Sequence, residues 1–136
     1  MNTTLYDPLR RKSIARTPEE EVRQGLIQWF HQEKGVPLNW MMSEYGFRCG
    51  HMSYRADLVI FGKDLKPVLL AECKAPSVPI DRTVLEQGLR YNRILQVKYM
   101  VFTNGKVTYV VRLDPEKNAF VFEETCPNYP ELIKTL

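Results

Sequence analysis

The sequence predicts an α/β domain, more closely an α+β mixed sheet flanked by two helices, and three observations carry that prediction. Two stretches have helical period behind a capping residue, one starting near Pro18 and one after Asp81. Around them lie six short runs rich in apolar, β-branched and aromatic residues, separated by turn signals. One run, Val68 to Ala71, is apolar without alternation, which marks a strand covered on both faces and therefore central in its sheet.

At 136 residues the chain has room for one domain with a single core of ordinary size. Its formal charge of +3 permits a phosphate-bearing partner without demanding one. The three cysteines, Cys49, Cys73 and Cys126, are odd in number and widely spaced, so they make neither a disulfide framework nor a CxxC metal site. No stretch approaches the length of a membrane span, and no apolar run follows Arg10, Arg11 and Lys12. A cytoplasmic protein with no membrane partner is the expectation.

Residues 1–16 have no sustained period and collect four basic residues, so they read as a basic arm, with a solvated tail as the favoured form. At "TPEEEVRQGLIQWFHQEKG" Thr17 is an N-cap candidate, Pro18 suits the first helical position, and Glu20 completes a capping box. A helix over about 18–32 follows, with Val22, Leu26, Trp29 and Phe30 on one face and Gly35 placed to close it. At 100° per residue Glu19 shares that face, while Glu20 and Glu21 point to its flanks.

"PLNWMMSEYGF" reads as a first strand containing Glu44, "CGHMS" as a loop, and "YRADLVIF" and "PVLLAECK" as two strands joined at "GKDLK". Asp81 caps a second helix to about residue 95, with Val84, Gln87, Tyr91 and Ile94 along one side. "KYMVFTNG" and "VTYVVRL" form a hairpin at Asn104-Gly105, "NAFVFEE" adds a strand, and the residues from Cys126 onward form a short helix or a docked tail.

A turn centred between Asp64 and Leu65 gives strand partners whose numbers sum to 129, which sets Asp57 opposite Glu72. Two carboxylates about 5 Å apart repel by about 3 kcal/mol at an effective dielectric near 20. Such a pair needs a counter-charge or a use. Lys74, on the same face as Glu72, supplies one positive charge, and a hydrated magnesium ion, which favours carboxylate oxygens, supplies the rest. A metal so held suits phosphodiester hydrolysis. The same spacing also suits an Asp–Lys–Glu ion-pair cluster at a strand end. Glu44 either reaches this site or pairs with Arg55, and the ion pair is the favoured reading. His31 and His51 stand apart from each other and from any cysteine at ligand spacing, so zinc is not expected.

"RADLVIF" followed by "LLAECKAP" resembles the PD-(D/E)xK nuclease superfamily, and "TPEEEVRQ", "ECKAP", "QGLRYN" and "FTNGK" are similar to the N-terminal nuclease domain of type I restriction endonuclease R subunits. The likeness covers about Thr17 to Arg112. It implies a restriction-endonuclease-like αβββαβ core, here with extra C-terminal strands, and a nuclease-like domain over 17–125 between the arm and a tail at 126–136. It further implies that Asp57 and Glu72 bind Mg2+ or Mn2+, that Lys74 assists the attacking water, and that the backbone carbonyl of Cys73 also ligates. The family's first-helix acid falls on Glu19 or Glu20; helix phase favours Glu19, while Glu20 has the capping box to serve. Gln87 and Tyr91 match the QxxxY motif of related nucleases and support the site or contact DNA.

Arg48, His51, Arg55, Arg82, Arg90 and Arg93 are candidates for a phosphate-binding surface. Unlike complete R subunits, the sequence has no GxxxxGK[ST] phosphate loop, so translocation would need a partner subunit, and site recognition would come from a partner, from DNA structure, or not at all. A homodimer would let two sites cut two strands. The expected function is a metal-dependent deoxyribonuclease, an endonuclease rather than an exonuclease, in restriction or a related defence. The rival is a nuclease-fold binding or assembly subunit active only within a complex, and the metal chemistry leaves RNA open as a substrate.

Overall fold

The computed structural model describes residues 3–117 and 119–134. Among them the order is β1 (Thr4–Asp7), β2 (Lys12–Ala15), α1 (Pro18–Glu33), β3 (Met41–Cys49), β4 (Met52–Phe61), β5 (Pro67–Cys73), α2 (Arg82–Leu95), β6 (Tyr99–Thr103), β7 (Thr108–Asp114), β8 (Ala119–Glu123) and α3 (Tyr129–Lys134). Strands β3 to β8 form one sheet in chain order. All neighbours in it are antiparallel except β5 and β6, which are parallel and joined through α2. A parallel pair needs a crossover of this kind, whereas a tight turn suffices elsewhere. The expected mixed sheet between two helices is thus the observed one.

Strand alternation assigns the two sheet faces. Leu69, Ala71 and Cys73 of β5 join the core under α1, where Ile27 and Phe30 are fully buried. Leu70 joins the core under α2 with Val84, Tyr91, Met100 and Phe102. Each large side chain fully buried in these layers contributes about 2 kcal/mol of hydrophobic stabilisation. β5 is covered on both faces, as its unbroken apolar run requires.

Helix and sheet approach closely at Gly88 on α2. A Cβ there would lie 2.4 Å from Cζ and 2.5 Å from Cε1 of Phe102, whose ring is only 1% exposed. Alanine normally favours a helix over glycine by about 1 kcal/mol. Here the ring has no room to yield, and overpacking of this kind costs about 1–3 kcal/mol. Gly88→Ala is therefore expected to lower the melting temperature by several degrees, read by circular dichroism; an unchanged or higher value would show that Phe102 can move aside.

The N-terminal segment departs from the sequence reading. Instead of a solvated arm, residues 4–15 make an antiparallel hairpin in which Asp7 pairs with Lys12. Asp7 is fully buried; its Oδ1 accepts the Leu9 N–H at 2.8 Å, and its Oδ2 accepts from Arg10 Nε. This anchorage is polar, so the hairpin leaves no apolar period to be read. The expected loop at "CGHMS" is also tighter, because β3 and β4 run up to a turn at Gly50 and His51. At the chain's other end α3 docks: Tyr129 Oη donates to the Phe61 carbonyl at 2.8 Å.

Candidate active site

The β4–β5 ladder positions the first two candidates. Leu58 pairs with Ala71, Val59 with Leu70 and Ile60 with Leu69, the predicted register; a bulge at Phe61 then shifts it, so that Phe61 meets Pro67. The described pairing begins at Leu58 and Ala71, and beyond it lie Asp57 and Glu72. There the Cys73 N–H donates to Asp57 Oδ2 at 2.7 Å. A side chain has taken the place of a ladder carbonyl, which brings the Asp57 carboxylate to the end of β5. Asp57 is thereby fixed in orientation by the backbone that follows Glu72.

Glu72 is 7% exposed, and its Oε1 is buried with no hydrogen-bond partner among the described residues. Burial, followed by the adjacent Asp57 carboxylate, pushes its pKa up to about 10, while Lys74 pulls the other way. Lys74 leaves the end of β5 with its N–H donating to the Thr103 carbonyl at 2.9 Å, so its side chain springs from a fixed backbone. The Cys73 thiol lies in the core under α1, and burial raises its pKa, with Asp57 adding to the effect. The thiol is a packed apolar group.

Tyr91 approaches from α2. Gln87 Nε2 donates to its hydroxyl oxygen at 2.6 Å, and its ring packs on Phe47 and Tyr54 at 5.4 and 5.5 Å between centroids. Burial raises the Tyr91 pKa, with smaller contributions from Glu72 and Asp57 in the same direction. It remains a neutral phenol near the two carboxylates. With its oxygen already accepting from Gln87, its proton is free to donate.

On the α1 side, the capping box is half formed. Thr17 Oγ1 accepts the Glu20 N–H at 3.1 Å, but the Glu20 carboxylate turns away to Arg10 Nη2 at 2.8 Å and Arg23 Nη1 at 3.6 Å. Glu19 is half-buried and close enough to act electrostatically on the Cys73 thiol. Glu44 pairs with Arg55 at 3.8 Å, as expected, and also with Arg10 at 3.6 Å and Arg23 at 3.4 Å.

Sequence reasoning missed Arg23, whose Nη2 lies 3.5 Å from Asp57 Oδ1. Its signal was available: Arg23 stands four residues after Glu19, on the same helix face, where a charge has to be paired.

The basic candidates are all exposed, and among them Arg55 reaches the charge network through Glu44. Arg55 and Arg48 lie on the β3–β4 hairpin with His51 in its turn. Arg82 and Arg93 lie about 20° apart around α2, away from Gln87 and Tyr91, whereas Arg90 stands about 60° from Gln87, three residues on; Arg82 pairs with Glu86 at 3.5 Å.

Two neighbouring carboxylates, one with an unpartnered buried oxygen, fit magnesium, which keeps several waters. Among the described residues no three His, Cys, Asp or Glu side chains gather as a ready-made cage.

A family model described as "Type I restriction enzyme R protein N terminus" matches residues 18–127. The chain belongs to this family. Its R-protein N-terminal fold recurs in solved structures. One is a fragment assigned as an HsdR subunit of a type I restriction enzyme from Vibrio vulnificus, with a TM-score of 0.61 and 21% identity over 85% of this chain and 24% of that one. Another is the type IIG restriction endonuclease BpuSI, with a TM-score of 0.57 and 19% identity over 85% of this chain and 15% of that one. A third is a protein assigned as a nuclease from Anabaena variabilis, with a TM-score of 0.55 and 11% identity over 98% of this chain and 84% of that one. No curated protein matches the chain in sequence. The R-protein N-terminal domain thus spans about a quarter of the HsdR fragment and a smaller share of BpuSI. No helix among its described residues is long and apolar enough to cross a membrane.

Proposed function

We propose that this domain hydrolyses DNA phosphodiester bonds with Mg2+ or Mn2+ held by Asp57, Glu72 and the Cys73 carbonyl. The observation that carries the reading is the buried, unpartnered Glu72 Oε1 beside an Asp57 carboxylate fixed by the Cys73 N–H, inside a restriction-enzyme fold. A bound cation would supply Lewis-acid charge and acidify a water.

The chain's own groups do the rest. Asp57 and Glu72 would hold the cation, and Glu19 would add a carboxylate from α1, while Glu20 stays with Arg10 and Arg23. The Lys74 ammonium orients the attacking water and takes up charge developing on the phosphoryl oxygens. Tyr91, held by Gln87, donates its hydroxyl proton to the same region. Exposed Arg55, Arg82, Arg90 and Arg93 are available to DNA phosphates, as are Arg48 and His51.

A second reading, activity only within a larger assembly that supplies site recognition or translocation, is favoured by the small share of the HsdR and BpuSI chains that this domain spans. A homodimer belongs to the same question.

The test is cleavage of single- and double-stranded, linear and circular DNA, beside RNA, in Mg2+, in Mn2+ and in excess chelator. Cleavage of DNA in metal and none in chelator is expected, with circular DNA cut if the action is endonucleolytic. Cleavage that persists in chelator would contradict the metal-dependent reading.

A further inference from the structure

We propose that Arg23 is a resident counter-cation of Asp57 that competes with the divalent cation, and that the N-terminal hairpin governs it through Arg10. The inference rests on the reading that Asp57 holds metal. It places a determinant of metal affinity outside the ligands themselves, partly in a segment before the 18–127 family match.

Arg23 is 6% exposed on α1, so it has given up most of its water. Its Nη2 faces Asp57 Oδ1 at 3.5 Å, and its Nη1 faces Glu44 Oε1 at 3.4 Å and Glu20 Oε1 at 3.6 Å. The two Nη1 contacts are ion-pair distances without hydrogen-bond geometry, since Nη1, like Nε, is buried with no hydrogen-bond partner among the described residues. A guanidinium usually locks onto a carboxylate through two parallel bonds. Arg23 instead stands loosely among three carboxylates. Charge holds it there, and charge can redistribute it.

Asp57 does not depend on Arg23 for its orientation, because its other oxygen accepts the Cys73 N–H at 2.7 Å. Losing Arg23 therefore removes a positive charge and spares the aim of the carboxylate. A second cation beside Asp57 meets repulsion from the first, weakly screened at this depth. Without Arg23, metal should bind more tightly.

Arg10 is the outer member of the chain of charges. The buried Asp7 pins it within the hairpin, and it reaches Glu20 at 2.8 Å and Glu44 at 3.6 Å. Arg10 and Arg23 thus share the same two glutamates. Removing Arg10 leaves those glutamates to draw Arg23 away from Asp57, so the hairpin acts on the metal site without touching it. Both arginines are positioning residues.

The test is Mn2+ titration of the full chain by calorimetry, with fold checked by circular dichroism. Asp57→Asn, which should abolish binding, tests the metal reading separately. Arg23→Met is expected to lower the Kd about fivefold or more, Arg23→Lys to return it to within about twofold of wild type, and Arg10→Met to lower it about two- to fivefold. Arg112→Met, which breaks an ion pair with Glu123 on β7 and β8, should leave it unchanged and so controls for net charge. If Arg23→Met does not fold, Arg10→Met decides. Wild-type or weaker affinity in the folded arginine variants, with binding still lost in Asp57→Asn, would overturn the proposal; binding retained in Asp57→Asn would overturn the metal reading and the proposal with it.

Discussion

Replacing Glu72 by glutamine is expected to make the metal-free protein more stable while abolishing metal uptake and cleavage. Burial and the neighbouring Asp57 carboxylate raise the Glu72 pKa from its ordinary 4.5 to about 10. Between those values the folded chain keeps a proton that the unfolded chain releases, so this group's contribution to stability declines as pH rises through that window. Glutamine has nearly the same shape and no proton to lose. Its advantage should therefore grow with pH, and be larger at pH 8.5 than at pH 5.5. Thermal melts in chelator at pH 5.5 and 8.5 check this. A gain of the same size at both values, or a loss at pH 8.5, would contradict the assignment. The same proton should appear on metal binding in the wild type, as a buffer-dependent heat near pH 8.

The second large effect separates the ligand from the lysine. Asp57→Asn should lose both Mn2+ uptake and cleavage, because an amide oxygen is a poor substitute for the anionic ligand of a hard cation. Lys74→Ala should keep Mn2+ uptake, even tighten it, because a nearby positive charge is gone. Its cleavage rate should nevertheless fall on the order of 100- to 1,000-fold, the usual cost of removing a group that stabilises transition-state charge. Calorimetry beside a cleavage time course reads both. Loss of metal uptake in a folded Lys74→Ala would instead place the lysine in the structural support of the site.

The sheet and helices were legible because their signals are local. The unbroken apolar run of β5 and the short "GKDLK" connection were enough to set the 129 register over Leu58 to Ile60, and Asp81 caps α2 as read, accepting the Val84 N–H at 3.2 Å. The bulge at Phe61 was not legible, since it depends on how the turn closes, with Asp64 and Leu65 both at positive φ.

Of the candidate site, the proximity of Asp57 to the end of β5 and the Gln87–Tyr91 contact follow from spacing within or between neighbouring elements. The Arg10, Glu20, Glu44, Arg23 and Asp57 network does not. It joins a hairpin, a helix and two strands, and Glu44 enters it from a φ of 51° that no glycine or turn signal announces. A search for apolar period passes over Arg23 because the residue is buried by charge rather than by hydrophobicity. The hairpin of residues 4–15 was missed for the same reason: its buried anchor is an aspartate.

The central claim is that Asp57, Glu72 and Lys74 form a metal-dependent hydrolytic site. The most direct measurement is cleavage of covalently closed circular DNA by the purified wild type and by Lys74→Ala, side by side in Mn2+, with fold checked by circular dichroism. Nicked or linear product is expected from the wild type, and none above background from the variant. A folded Lys74→Ala that cleaves at the wild-type rate would contradict the claim.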